Sequence, residues 1–232
     1  MKVKPIKSIE KLEQFKNELE KFDSKGENAD KTLYEKKRNR ALFCTGINTA
    51  LRVSDIITLD LIDVFNIDLT FKEEILLKEQ KTRKEKGFAV TNTLKEELKE
   101  YLCWYFAIIY NINIRDDKSK EEHREEIREI IEKQPLFLSE RRVKELDGEK
   151  IENKYLSRVQ VYRILNEVAE KLGLERVGSH TMRKTFGYWF YKRTKDIAML
   201  QKMLNHSSIR ETLIYIDVEQ DEINNAYKNF GL

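Results

Sequence analysis

Glycine and proline are scarce in this chain, with eight glycines and two prolines among 232 residues. Because these residues interrupt helices and form tight turns, their scarcity disfavours a turn-rich β architecture. Charged residues make up 37% of the chain and hydrophobic residues 40%, a balance typical of helices with one polar and one apolar face. We therefore predict a mainly α-helical protein, folded as a single domain over residues 1–232. Gly46 is predicted to interrupt the second helix, which starts near Tyr34.

One stretch departs from the helical pattern, between Val64 and Val90. Apolar and β-branched residues there flank the polar run TRKEKG. This arrangement is typical of two strands joined by a tight turn. We predict a small antiparallel β-sheet at this point in an otherwise helical fold.

Charge is distributed unevenly along the chain. The formal net charge of +3 is weak support for a nucleic-acid partner. Residues 154–193 contain nine Lys or Arg against three Glu, so this stretch is suited to contact phosphate. Residues 111–134 are acidic on balance, and we expect them to form a helical insertion that faces away from any nucleic acid.

The remaining composition excludes several classes of protein. Cys44 and Cys103 lie far apart in apolar helical patterns, which favours free thiols over a disulfide, and no zinc-binding spacing occurs. The first residues contain no apolar signal segment, and no run approaches eighteen apolar residues. We expect a cytoplasmic protein without membrane contact.

A candidate phosphate site begins at Ser179, the predicted N-cap of a helix. His180 and Arg183 are three residues apart on one face of that helix, opposite the apolar Met182. Free N–H groups at a helix start and a guanidinium together favour phosphate binding. By itself, however, a His-x-x-Arg pair is common on solvated helices.

A candidate nucleophile follows in the next helical segment. Ser208 and Glu211 are predicted to form a capping box at its start. Its predicted apolar stripe consists of Ile209, Leu213 and Ile216. Tyr215 lies off this stripe, where its hydroxyl is able to meet a substrate, although a packing role is the ordinary interpretation of such a tyrosine.

In combination, these motifs resemble the tyrosine recombinases of the phage integrase type. The sequence TALRVSD at residues 49–55 precedes His180-x-x-Arg183, and LNHSS at residues 204–208 precedes Tyr215, nine residues after His206. The resemblance extends over essentially the whole chain from about Lys4. It implies the tyrosine recombinase catalytic-domain fold and site-specific DNA recombination through a 3′-phosphotyrosine intermediate.

The resemblance also assigns roles to individual residues. It implies that two arginines clamp the phosphate, that His180 acts as a base and that His206 binds the phosphate. A lysine beside the β-hairpin protonates the leaving oxygen; Lys81 fits best, with Lys84 and Lys86 as alternatives. The implied catalytic set is Arg52, Lys81, His180, Arg183, His206 and Tyr215, with Asp55 orienting other groups and with Lys84, Lys86, Arg158 and Lys184 as DNA contacts.

The implied partners are double-stranded DNA, further copies of the chain in a tetrameric synapse, and accessory DNA-bending proteins. Residues 219–232 are the candidate for a segment exchanged between protomers, and association with the nucleoid is expected. We expect no cofactor and no metal ion. Asn205 stands where the family usually has glycine, but Asn tolerates the left-handed conformation.

Two alternatives use the same fold. The family usually carries a core-binding domain ahead of the catalytic domain, whereas here the catalytic domain is expected to begin within the first ten residues. A catalytically weak or inactive DNA-binding regulator is therefore one alternative. A relaxing activity like that of type IB topoisomerases is the other.

Overall fold

Helices form most of the structure, as the sequence predicts. The computed structural model describes residues 3–21, 29–78, 85–139, 155–217, 228 and 230, with residues 29–31 and 86 described by their backbone alone. The helices of these segments are α1 (Ile9–Lys21), α2 (Ala29–Thr49), α3 (Val53–Ile56), α4 (Leu61–Val64), α5 (Asn92–Tyr110), α6 (Asp117–Glu122), α7 (Arg124–Lys133), α8 (Arg158–Lys171), α9 (Thr181–Thr194), α10 (Ile197–Leu204) and α11 (Ile209–Ile216).

The predicted antiparallel sheet is present between α4 and α5. Strand β1 (Glu74–Lys78) pairs with β2 (Glu85–Ala89), so that Ile75 lies opposite Phe88 and Lys78 opposite Glu85. Ile75 is buried against the helices, which fixes the face that the hairpin turns to the core. Lys81 and Lys84 fall in the connection between the strands, outside the described residues.

Helix α2 lies at the centre of the main core, where it contacts α1, α5 and α9. Phe15 of α1 stacks on Phe43 of α2, with 4.5 Å between ring centroids. On another face, the hydroxyls of Tyr34 and Tyr101 lie 3.0 Å apart, and Tyr101 also donates to the carbonyl of Leu136. The buried tyrosines therefore keep their polar ends bonded inside the core.

The prediction that Gly46 interrupts the second helix is wrong. Helix α2 continues through Gly46 to Thr49. A Cβ atom at position 46 would lie 2.5 Å from the sulfur of Met182 in α9. Glycine is needed there for the close approach of two helices, which a local reading of the sequence does not reveal.

The acidic segment forms α6 and α7, and it is packed along one side. Ile127, Ile130 and Ile131 of α7 are buried, and α7 contacts α4. The charged residues of α7 form exposed pairs such as Arg128 with Glu132. The helical prediction is therefore confirmed, and the acidic face points to solvent.

A second, smaller core holds helices α9, α10 and α11 together. Ala50, Leu200, Leu204 and Ile216 form its buried part, and Phe186 and Tyr215 pack against it. Gly187 of α9 permits this packing, since a Cβ there would lie 2.8 Å from a methyl carbon of Ile216. Helices α9, α10 and α11 are thereby fixed around the end of α2.

Both cysteines are free, with Cys44 buried and Cys103 half-buried. Burial raises the pKa of the Cys44 thiol to about 12, so this group stays protonated at neutral pH. Within the described segments, no helix has the length and apolar character needed to cross a membrane.

Candidate active site

Arg183 is the most deeply placed group of the candidate site, with 2% of its surface exposed. Its two terminal nitrogens donate hydrogen bonds to the carbonyls of Ala50, after α2, and Leu204, at the end of α10. These carbonyls belong to helix C-terminal ends, where a cation is favoured. The guanidinium therefore joins the segment that leads to Arg52 with the segment that leads to His206.

Arg52 lies two residues beyond this junction, at the N-cap of α3. Ala50 has a left-handed backbone, with φ of 56°, which turns the chain sharply between α2 and α3. Arg52 is half-buried, and its charge acts on both His206 and Tyr215. Asp55 is buried one turn later, and its carboxylate lies 3.5 Å from the hydroxyl of Ser54.

His180 occupies the N-cap position of α9, and the prediction that Ser179 is the cap is wrong. His180 makes no side-chain cap hydrogen bond; instead, the backbone N–H of Gly178, ahead of the helix, donates to the hydroxyl of Thr181. The imidazole of His180 is exposed, and its Nδ1 lies 3.4 Å from the hydroxyl oxygen of Tyr215. This contact places a possible base beside the phenol hydroxyl.

Helix α9 does not separate into a packing face and an open face as predicted. Arg183 and Lys184 are buried along with Met182, because α9 packs against α2 on one side and against α10 and α11 on the other. A buried position for two cations on a central helix indicates that they serve a local purpose rather than general solubility.

His206 is held by the turn between α10 and α11. Asn205 adopts the left-handed conformation, with φ of 51°, as predicted for the residue in the place of the family's glycine. The Nδ1 of His206 lies 3.1 Å from the hydroxyl oxygen of Thr212. Burial, with Arg183 and Arg52 acting in the same direction, lowers the pKa of His206, so the imidazole is neutral at pH 7.

Tyr215 lies in the last turn of α11, half-buried between the two histidines. Its ring centroid is 4.8 Å from that of His206 and 6.5 Å from that of His180. Burial raises the pKa of the phenol, whereas Arg183, through its charge and a hydrogen bond, and Arg52 act to lower it. Ionisation of this tyrosine therefore depends on the arginines beside it.

The packing of α11 differs from the predicted stripe. Thr212 and Ile216 are buried, whereas Ile209 is 45% exposed. Tyr215 packs against the second core rather than standing clear of it. The capping box is half confirmed: the hydroxyl of Ser208 accepts from the N–H of Glu211, but the Glu211 carboxylate binds Ser207.

Five of the six predicted catalytic residues are placed in the described structure. His180, Arg183, His206 and Tyr215 contact one another directly or through one carbonyl, and Arg52 lies within electrostatic range. Lys81 and Lys84 are outside the described residues, and of Lys86 only its backbone, in β2, is described. Among the predicted DNA contacts, Arg158 is exposed at the start of α8, whereas Lys184 is buried.

Two contacts that support the site were not predicted from the sequence. Thr212 is fully buried and binds His206. Lys7, near the N-terminus, donates to the carbonyl of Asp217 at 2.7 Å, directly after the helix that carries Tyr215. The Lys7 contact joins residues 210 positions apart, which motif spacing does not report, whereas Thr212 lies only six residues after His206.

The family assignment follows from a comparison with known families. The model of the phage integrase family matches residues 27–222. The chain belongs to the phage integrase family. The resemblance inferred from the motifs is thus confirmed.

Individual relatives agree with this assignment. The chain is 38% identical over 229 residues to the probable integrase/recombinase YoeC of Bacillus subtilis, covering 99% of this chain and 97% of the relative. It is 29% identical over 192 residues to the tyrosine recombinase XerC of Thermodesulfovibrio yellowstonii, covering 82% of this chain and 54% of that relative. This chain of the phage integrase family therefore spans nearly all of one relative and about half of the other.

Solved structures confirm the fold. A XerH site-specific recombinase bound to palindromic difH substrate, in a post-cleavage complex, aligns with a TM-score of 0.66 at 19% identity, covering 99% of this chain and 54% of that chain. A XerA recombinase aligns with a TM-score of 0.62 at 18% identity, covering 97% of this chain and 65% of that chain. The predicted tyrosine recombinase catalytic-domain fold is thus the fold of this phage integrase family member.

Proposed function

We propose that this chain recombines double-stranded DNA at specific sites, with Tyr215 as the nucleophile that forms a 3′-phosphotyrosine. The observation that carries the proposal is the contact of 3.4 Å between His180 Nδ1 and the Tyr215 hydroxyl, beside the guanidinium of Arg183. DNA recombination is the function of the family to which the chain belongs.

The first step is attack by the Tyr215 oxygen on a backbone phosphorus. The phenol proton passes to His180, the new oxygen–phosphorus bond forms, and the bond to the 5′-oxygen breaks. The ester bond lost in the DNA is replaced by one to tyrosine, so rejoining needs no external energy source. The reverse attack by a 5′-hydroxyl releases Tyr215 and completes the exchange.

The arginines and His206 stabilise the negative charge that develops on the phosphate. Attack places negative charge on the non-bridging oxygens, and preorganised guanidinium donors stabilise it. Arg183 donates to two carbonyls and bonds to the phenol of Tyr215, so its guanidinium is held beside the position of the reacting phosphate. Arg52 supplies the second guanidinium.

Thr212 supports a specific tautomer of His206. The Thr212 hydroxyl has one proton and two acceptors, Nδ1 of His206 at 3.1 Å and the Ser208 carbonyl at 3.2 Å. We assign this proton to Nδ1 of the neutral ring, so that the imidazole proton resides on Nε2, which then donates to the phosphate. This assignment agrees with the lowered pKa of His206, because a neutral ring needs a fixed tautomer in order to donate.

The leaving 5′-oxygen needs a proton, which we assign to a lysine of the β-hairpin. Lys81 is the first candidate, and Lys84 and Lys86 are the alternatives. Substitution of each lysine by methionine separates them when cleavage is compared on oxygen and 5′-thio substrates. The lysine that acts as the acid is the one whose loss is rescued by sulfur, which leaves without protonation.

We further propose that the chain binds duplex DNA through its basic surface, which includes Arg158, and assembles on DNA as a tetramer. The XerH neighbour, which is bound to difH DNA, supports the duplex partner. Arg158 is exposed at the start of α8, where it is accessible to a phosphate. Native mass spectrometry of the protein with its selected duplex tests the tetramer, for which four protein copies on two duplexes are expected.

The chemistry is tested by trapping the covalent intermediate. A pool of nicked duplexes with randomised sequence around the nick is incubated with the protein, and DNA that stays bound in SDS is sequenced. We expect a defined site to be enriched, with no adduct from Tyr215→Phe and no effect of a metal chelator. Binding without any adduct would contradict the proposal and favour a DNA-binding regulator.

A further inference from the structure

Lys184 is buried in α9 beside the candidate nucleophile. Its side chain is 5% exposed, and its Nζ lies 4.9 Å from the centroid of the Tyr215 ring. The two residues also line the same cleft, together with His180. Burying an ammonium costs free energy unless it is compensated, so this placement is expected to serve the site.

Lys184 contacts a part of Tyr215 different from the part that the other groups of α9 contact. Among the described residues, the charged or titratable groups around the phenol are His180, Arg183 and Lys184 from α9, Arg52 before α3, His206 after α10, and Arg210 and Glu211 from its own helix. His180 contacts the hydroxyl, and Arg183 bonds to it. Lys184 is the cation of α9 that faces the ring.

We propose that Lys184 is a positioning residue for Tyr215, whose ammonium orients the phenol ring and stabilises the phenolate that forms during attack. The proposal rests on the role of Tyr215 as the nucleophile. It gives Lys184 a function different from the DNA contact that the sequence predicts, since its buried ammonium lies against a protein ring.

The physical reason is that this contact strengthens along the reaction. A cation over an aromatic face is attracted by the electron density of the ring, and more strongly when water is excluded. As the hydroxyl loses its proton to His180, negative charge spreads from the oxygen into the ring. An interaction that grows toward the transition state accelerates the chemical step rather than substrate binding.

The test uses three variants of the full chain. Lys184→Met keeps the length and packing of the side chain but removes the charge, and Lys184→Arg keeps the charge. Lys195→Met is the matched control, because Lys195 ends the same helix and its Nζ lies 5.2 Å from the ring of another tyrosine, Tyr191. Thermal melts identify any loss of fold, and Lys184→Gln replaces the methionine variant if that one is unfolded.

The first measurement needs no DNA. With tyrosine labelled by ¹³C at the ring carbon that bears the hydroxyl, the NMR signal absent from Tyr215→Phe reports ionisation of Tyr215. We expect Lys184→Met to raise the midpoint of the Tyr215 titration by about one pH unit, since a cation at this distance favours the phenolate. The midpoints of Lys184→Arg and Lys195→Met should stay close to that of the unmodified protein. An unchanged midpoint in Lys184→Met would overturn the proposal.

The second measurement is the rate of adduct formation on a selected nicked duplex at saturating DNA. We expect Lys184→Met to be roughly tenfold slower, with the half-saturating DNA concentration unchanged and the rate largely restored in Lys184→Arg. A change in half-saturation alone would instead identify a DNA-backbone contact. If the unmodified protein forms no adduct, the proposed function fails, while the NMR midpoint still decides whether Lys184 acts on Tyr215.

Discussion

Replacing Arg183 with alanine is expected to weaken the fold as well as stop the chemistry. Its guanidinium is buried and donates to the carbonyls of Ala50 and Leu204, which belong to different segments of the chain. Each hydrogen bond from a charged donor contributes about 1.5–3 kcal/mol. The substitution leaves both carbonyls without this donor and opens a cavity, while it removes the cost of burying the charge.

The net loss in the free energy of unfolding is expected to be about 3 kcal/mol, at the lower end of the sum of the two bonds, because the desolvation cost offsets part of it. For a chain of this size, that corresponds to a fall in melting temperature of about 6–12 °C. Arg183→Lys keeps one cation that is able to reach one carbonyl, so about half of this loss is expected.

The assay is urea denaturation followed by tryptophan fluorescence, which reports on α9 through Trp189. Arg193→Ala is the control, because Arg193 is exposed in the last turn of the same helix and its loss should cost less than about 1 kcal/mol. If Arg183→Ala unfolds at the same urea concentration as the unmodified protein, Arg183 does not tie the two segments together and the reasoning is wrong.

Three further predictions concern the groups around Tyr215. Lys7→Met removes a hydrogen bond of 2.7 Å and an ion pair of 3.5 Å to Asp217. The free energy of unfolding measured in urea should fall by about 1 kcal/mol, and adduct formation should slow. Lys4→Met, at an exposed position, is the control and should change neither quantity. Thr212→Val keeps the shape of a buried side chain but removes the partner of His206, so adduct formation should slow about 3- to 10-fold; an unchanged rate would show that the tautomer is set elsewhere. Burial lowers the pKa of His206 in the folded state, so the imidazole binds a proton more readily in the unfolded chain. The free energy of unfolding should therefore be highest above about pH 6.5 and should fall as the pH drops through the folded-state pKa. Urea titrations should show a smaller fall in His206→Gln.

The sequence was sufficient to predict the fold class, the hairpin and some of the helix ends. Ser157 begins α8 with a capping box, and Gly173 follows the end of this helix with a positive φ of 62°. Asn205 adopts the left-handed turn that the family's glycine suggests. These features depend on residues close together in the chain, so local patterns report them.

The error at Gly46 arose where distant segments meet. Gly46 was interpreted as a break because its close contact with Met182 spans 136 positions of sequence. In α11 the exposed Ile209 and the buried Thr212 reverse the expected order of hydrophobicity, and Thr212 contacts His206, six residues earlier. The burial of Lys184 against the ring of Tyr215, which lies 31 positions later, is likewise not indicated by its neighbourhood in the sequence.

The central claim is that Tyr215 carries the DNA, and mass spectrometry of the trapped adduct tests it most directly. Trypsin cleavage after Arg210 and Lys228 releases residues 211–228, which contain both Tyr215 and Tyr227. Fragmentation of this peptide after nuclease digestion should place the remaining nucleotide on Tyr215, linked through its 3′-phosphate. A nucleotide on Tyr227 or on another residue, or a linkage through a 5′-phosphate, would contradict the account.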